Sequence, residues 1–369
     1  MATETETAVG GEDGGGAAGA EGEDRGELYG VAPERALEIL GRMLLFRRFE
    51  EKAEEAYAIG KIGGFCHLHI GQEGAAAGTI LPLREDDYVI SAYREHTQAL
   101  AKGVEPRRVM AELFGRAEGT SGGKGGSMHI FDSDRRFMGG HGIVGAQVPL
   151  AAGMGWAIHY RDGDQVVVCF MGDAAVNQGA FHEAMNMSAI WNLPVIYVVE
   201  NNAYGMGTAF SRVSRTEIHE KSSAYGIPSH VINGQDVLET YSRFQELIEG
   251  VRSDAGPQFV DLHTYRFKGH SMSDPVSGTY RSKEEVEGKV EEADPIRLLA
   301  ERLKAAGHLD QESLEALDEE ARQTCQEAFD FADQAPDPDP DVLYRNVYAE
   351  INEHGRLFFD NRDRPDFAR

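Results

Sequence analysis

The sequence predicts an α/β protein built on a doubly wound, mostly parallel sheet with helices on both faces. Two observations carry this expectation. From Gln147 to Tyr265 helix-like and strand-like segments alternate, the pattern of parallel strands joined by crossover helices. The strand segments QVVVCFM (165–171), PVIYVV (194–199) and QFVDLHTY (258–265) are nearly continuously apolar, as strands are when both sheet faces are covered. The intervening periodicity places helices at 147–160, 178–191 and 238–252.

Upstream, Pro33 opens an amphipathic helix with Leu37, Leu40, Met43, Leu44, Phe46 and Phe49 as its buried stripe. YVISAY (88–93) reads as another strand, 96–114 as helical segments, and 115–141 as a Gly-rich loop long enough to carry a function. From 283 onward the chain is mostly charged helix, interrupted by a Pro/Asp-rich break at 335–340. Residues 1–27 are chiefly Gly, Ala, Glu, Asp and Thr, too polar to offset their ordering entropy by burial, so a disordered tail is expected. The glycines there are not a phosphate loop, because no strand precedes them and no helix follows directly. The expected organisation is an acidic tail (1–27), an α/β domain (28–335) and a C-terminal extension (336–369) packing on the domain or on a partner.

With 36 Lys+Arg against 62 Asp+Glu the net charge is −26, which repels nucleic acids and anionic membrane surfaces. Cys66, Cys169 and Cys325 form no C-x-x-C pair, so neither a disulfide framework nor a zinc site is suggested. No leader-like start is present, and no run reaches the ~20 apolar residues that span a bilayer. A soluble cytoplasmic protein is expected, with neither nucleic acid nor membrane as partner.

The chemistry concentrates in GDAAVNQGAFHEAMNMSAIWNLPVIYVVENN (172–202). Gly172-Asp173 ends one strand and Asn201-Asn202 the next, with one helix between them. A right-handed crossover then brings Asp173 and Asn202 together at the carboxyl ends of the strands, where open parallel sheets bind ligands. A carboxylate and a carboxamide oxygen suit Mg²⁺, which fills its octahedron with phosphate oxygens and water. Backbone N–H groups after Asp173 can receive a diphosphate. HEAMN (182–186) has Asn186 where a zinc-protease motif needs histidine, so His182 reads as a helix-surface residue. His67 and His69, two apart, could supply two metal ligands or none; His129 and His141 read as bonding the backbone of their loop.

With its ENNAYGMGT continuation this segment resembles the cofactor motif of the alpha subunits of thiamine-diphosphate-dependent 2-oxo acid dehydrogenases. Four further stretches resemble the same family: GFCHLHIGQE (64–73), ISAYREH (90–96), GGKGGSMHIFD (122–132) continuing through HGIVGAQVPLAAG (141–153), and TYRFKGHSMSDP (264–275). Together they cover about 40–330 in the family's order. The resemblance implies the thiamine-diphosphate-binding fold with a helical C-terminal region, and thiamine diphosphate and Mg²⁺ as cofactors. It assigns the metal to Asp173, Asn202 and a backbone oxygen at Tyr204. Cofactor contacts are implied for Tyr93, Arg94, Gly142, Val144, Gly172, Ala174, Ala175, Gln178, Arg266 and His270, with His96 near the cofactor. Ala174 replaces the motif's second glycine, and its methyl is expected to crowd the phosphate. His67 and His270 are implied as catalytic residues of the substrate channel, where an imidazole of ordinary pKa, about 6.5, would stabilise an oxyanion or shuttle a proton.

GHSMSDP and GIVGAQVPLA are most similar to the pyruvate-oxidising members, with acetoin and branched-chain 2-oxo acid enzymes as alternatives and a catalytically silent scaffold subunit as a different-class rival. The implied activity is oxidative decarboxylation of pyruvate with acetyl transfer to the lipoyl groups of dihydrolipoyl acetyltransferase. The implied partner is a beta subunit, in an α₂β₂ heterotetramer, carrying the glutamate that activates the cofactor. The polar segment 271–282 reads as a mobile loop beside the active site; Ser271 matches a phosphorylated position of related mitochondrial enzymes and is read here as an unmodified serine.

Overall fold

The alternating apolar segments assemble into a six-stranded, all-parallel sheet in the computed structural model, which describes residues 28–340 and 342. The tail 1–27 and, apart from Val342, the extension beyond residue 340 lie outside the described residues. The strands are β1 (Tyr88–Ala92), β2 (Phe137–His141), β3 (Val167–Gly172) and β4 (Val195–Asn201). A small antiparallel hairpin, β5 (Tyr204–Gly205) with β6 (Thr208–Ala209), precedes β7 (Ser229–Asn233) and β8 (Gln258–His263). The order across the main sheet is β2-β1-β3-β4-β8-β7.

The continuous apolarity of the central strands has the expected cause. Along β3, Val167, Cys169 and Met171 enter one core while Val168 and Phe170 enter the other. The larger core is covered by α1 (Pro33–Ala58), α2 (Glu73–Ile80), α3 (His96–Ala101) and α4 (Pro106–Leu113). On the opposite face α5 (Gln147–Tyr160) and α6 (Gly179–Ile190) bury Val148, Phe181 and Met185. α7 (Val237–Arg252) returns to the first face; α8 (Lys283–Ala293), α9 (Pro295–Ala305) and α10 (Gln311–Gln334) follow, the last two adding Leu299, Leu303 and Cys325 to the larger core. All three cysteines are buried and free. Among the described residues no helix is long and apolar enough to cross a membrane.

Two strands of the main sheet depart from the sequence expectation, and both are its edges. β2 lies inside the segment read as loop. Its FMGGH sequence has little strand propensity, but the absent side chain at Gly140 admits the buried carboxylate of Glu95, against which any Cβ would collide. β7, SHVIN, is largely exposed and so lacks an apolar run.

Candidate active site

A cavity of about 300 Å³ opens at the carboxyl ends of β1, β3 and β4. Each strand delivers residues into it: Tyr93 and Arg94 after β1, Asp173 to Ala175 after β3, and Asn202 and Tyr204 after β4. Arg266, beyond β8, closes one side together with His270. A short 3₁₀ helix over Asp173–Asn177 intervenes before α6, so the turn after the motif aspartate is tighter than a continuous helix.

Asp173 is almost fully buried. Its Oδ1 accepts the Ala174 N–H at 2.7 Å, while its Oδ2 is buried without a partner. Burial pushes the carboxyl up to about 6. The Asn202 Oδ1 accepts from the Tyr204 N–H at 3.4 Å, and its Nδ2 donates to Gln72 Oε1 at 3.2 Å. An orphaned buried carboxylate oxygen is costly unless a cation or donor satisfies it. Among the described residues no three His, Cys, Asp or Glu side chains converge on a metal position. The donor set at Asp173 is thus one carboxylate with amide oxygens, a mixture that fits Mg²⁺ completed by phosphate and water.

Two guanidiniums face the same cavity. Arg94 donates to the carbonyls of Leu68 (2.6 Å) and His270 (2.7 Å). Burial, reinforced by Arg266, draws it down to about 10. Arg266 donates to the Lys268 carbonyl (3.2 Å) and the Tyr280 hydroxyl (3.0 Å), and burial lowers its pKa as well. Neither makes a carboxylate ion pair among the described residues, so the cavity wall holds buried positive charge that a polyanionic ligand would neutralise.

His67, Tyr93 and His270 cluster beside this charge, with ring centroids 4.6 Å apart for His67–Tyr93 and 5.1 Å for His67–His270. Burial, followed by the neighbouring Arg94, holds His67 at about 2 and His270 at about 4. Both imidazoles are therefore neutral at neutral pH, which corrects the expectation of groups poised near their ordinary pKa. His270 lines the cavity, whereas His67 stands outside its wall against Tyr93. The loop that carries His270 has no helix or strand but is firmly tied. Arg281 donates to the carbonyls of Arg266, Lys268 and Val276, and Tyr280 donates to Asp274. Ser271 is buried there, with its hydroxyl 3.0 Å from that of Ser273.

Of the other expected cofactor residues, Val144, Gly172, Ala174, Ala175 and Gln178 line the cavity. Gly142 does not; it packs beside the ring of His129, and Gly145 takes the cavity position instead. The methyl of Ala174 is accommodated by Gly205, where an added Cβ would come within 2.6 Å of it. Gly205→Ala should consequently push Ala174 toward the ligand and weaken cofactor binding about tenfold, of the order expected for overpacking. Adding Ala174→Gly should restore the affinity, which calorimetry of the single and double variants checks.

One histidine settles an open reading and another falls elsewhere than expected. His69 is fully buried, with Nδ1 2.7 Å from the Thr97 hydroxyl and Nε2 2.9 Å from Glu200, so it forms no metal pair with His67. His96 is locked between Glu50 and the Ser127 hydroxyl, both at 2.8 Å, and does not reach the cavity. His182 is exposed against Tyr225, and His129 and His141 bond backbone carbonyls of the segment read as loop, Gly140 and Met138, which the structure places in β2. Sequence reasoning missed Gln72, Gln147, Glu200 and Met206 as cavity residues. Gln72 and Glu200 lie within recognised motif segments, yet nothing local signals that they meet.

A buried carboxylate with an unpartnered oxygen and two buried guanidiniums at the carboxyl ends of parallel strands make a site suited to a phosphate-bearing ligand. The dehydrogenase E1 component family matches residues 41–341. The chain is 46% identical over 323 residues to the pyruvate dehydrogenase E1 component subunit alpha of Rhizobium meliloti (strain 1021), spanning 87% of this chain and 92% of that relative. Identity is 47% over 321 residues to the same-named subunit of Zymomonas mobilis, covering 86% and 90% of the two chains. It is 41% over 320 residues to the mitochondrial subunit of Pisum sativum, covering 87% and 80%. The chain belongs to the dehydrogenase E1 component family, whose members depend on thiamine diphosphate.

Proposed function

We propose that this chain is the cofactor-anchoring alpha subunit of a pyruvate dehydrogenase E1 component, which decarboxylates pyruvate oxidatively and passes the acetyl group to lipoyl groups of a dihydrolipoyl acetyltransferase. The observation that carries this reading is the convergence of the orphaned Asp173 carboxylate with Arg94 and Arg266 on one cavity, in a chain whose relatives bear that name. Asp173, Asn202 and the Tyr204 backbone oxygen would hold Mg²⁺. Thiamine diphosphate supplies the electron sink that lets a 2-oxo acid lose CO₂. Arg94 and Arg266 neutralise diphosphate oxygens, and Tyr93 shapes the wall beside them. His270, a neutral imidazole at the cavity edge, accepts or returns a proton near the substrate, with His67 behind it.

A beta subunit completes the site. Leu150, Trp156 and Tyr160 on α5 and Ile190 on α6, with Trp191 just beyond it, are exposed large apolar residues, and Trp156 stacks on Tyr160 at 5.3 Å. Gly153 stands open on the same helix, its Cβ position meeting nothing within 4 Å. Helices with such a face pack against another chain. Among the described residues the cavity-lining carboxylates are Asp173 and Glu200, and Glu200 is already engaged by Gln98 and His69. The carboxylate that activates the cofactor ring therefore comes from the partner.

The test of substrate identity is a panel of pyruvate, branched-chain 2-oxo acids and acetoin, supplied to the enzyme assembled with its beta subunit. The expected kcat/KM is about tenfold or more in favour of pyruvate, the discrimination a methylene-sized difference allows. A higher value for a branched-chain acid or acetoin would reassign the substrate.

A further inference from the structure

We propose that Gln72 is a further residue of the cofactor site, orienting Asn202 for the metal and presenting its own amide N–H to the diphosphate. The inference rests on the reading that Asn202 holds the metal. Gln72 is fully buried yet lines the cavity alongside Arg94, Asp173 and Arg266. Its backbone is fixed where α2 begins: its N–H donates to the His69 carbonyl at 3.0 Å, and the N–H of the preceding Gly71 is gripped by both oxygens of Glu73. That carboxylate is itself ion-paired with Arg47. The side chain therefore leaves a rigid corner.

Its two polar atoms have different situations. Oε1 accepts from Asn202 Nδ2 at 3.2 Å, whereas Nε2 is buried without a partner. Turning both amides over would set the Asn202 Nδ2 against the Tyr204 N–H, donor facing donor, because that N–H now meets Asn202 Oδ1 at 3.4 Å. The observed orientation leaves Asn202 Oδ1 free to act as an oxygen ligand and leaves Gln72 with an unused donor. A buried donor without an acceptor carries a desolvation penalty, and an anionic phosphate oxygen removes it with a charge-assisted bond. Gln72 thus couples the metal to the diphosphate: the acceptor end holds the metal ligand and the donor end meets the anion.

The experiment uses the enzyme assembled with its beta subunit, titrated with thiamine diphosphate at saturating magnesium and with magnesium at fixed thiamine diphosphate, both by calorimetry. Gln72→Met keeps the side-chain length and removes both polar atoms. It should raise the Kd for thiamine diphosphate about tenfold or more, the worth of one hydrogen bond to a charged group, and raise the magnesium concentration at half-saturation. Thermal melting of the cofactor-free enzyme should change little, because loss of the Asn202–Gln72 hydrogen bond is offset by removal of the buried, unpartnered Nε2. Asn202→Ala is the control for the underlying reading. A Kd within twofold of wild type in Gln72→Met, with binding lost in Asn202→Ala, would overturn the role of Gln72 alone. Wild-type affinity in both variants would overturn the metal assignment and the proposal with it. Should Gln72→Met fail to assemble, Gln72→Ala is read by the same criteria.

Discussion

Asp173→Ala should abolish turnover and weaken thiamine diphosphate binding on the order of a hundredfold at saturating magnesium, the loss expected when a buried charge site is stripped of its counter-charge. Among the described residues Asp173 is the one cavity-lining carboxylate with an oxygen that is buried and unpartnered. Without it a divalent cation would face carboxamide and backbone oxygens, which cannot offset its charge, and the phosphates would lose their bridge to the protein. Folding should survive, because the carboxylate is a burden to the cofactor-free protein. Burial raises its pKa to about 6, above its unfolded value, so the native state binds the extra proton between the two. Cofactor-free wild type should therefore gain stability as pH falls from neutrality toward 4, a contribution that Asp173→Ala lacks. Calorimetry of binding with melting curves across that pH range checks both parts. Near-wild-type cofactor affinity in the variant would contradict the metal assignment.

The sequence made this site legible because its key residues are local to one crossover. β3 and β4 are apolar on both faces, and the residues ending them, Asp173 and Asn202, share a cavity. Edge strands were not legible, since β2 owes its glycine-rich backbone to a contact with Glu95 rather than to propensity. Nor could the histidine pKa values be read: His67 and His270 are ordinary imidazoles until burial and Arg94 act on them. Which glycine of the GIVG turn lines the cavity was not legible either: Gly145 does and Gly142 does not, a choice set by the path of the turn. Ala174 is a departure from the motif, and Gly205, which leaves room for its methyl, lies on β5, outside the 3₁₀ turn that carries Ala174. Gln72 meets Asn202 across 130 residues of sequence, a pairing that only the tertiary structure supplies.

Turnover should require a second polypeptide, and this is the other large effect. The chain brings Asp173, Asn202, Arg94, Arg266 and His270 to one cavity, with His67 just outside its wall. Among the described residues no uncommitted glutamate lines the cavity, since Glu200 is bound by Gln98 and His69. Ile143 and Val144 are exposed next to the cavity, continuous in sequence with the apolar face of α5. Two chain surfaces that meet there would deepen an edge cavity into an enclosed site, a common origin of cofactor clefts. The direct measurement is pyruvate decarboxylation with an artificial electron acceptor, thiamine diphosphate and magnesium, assayed for the purified chain, the purified beta subunit and their mixture. Turnover confined to the mixture is the predicted result; robust turnover by this chain alone would show that it carries its own activating carboxylate and contradict the divided site.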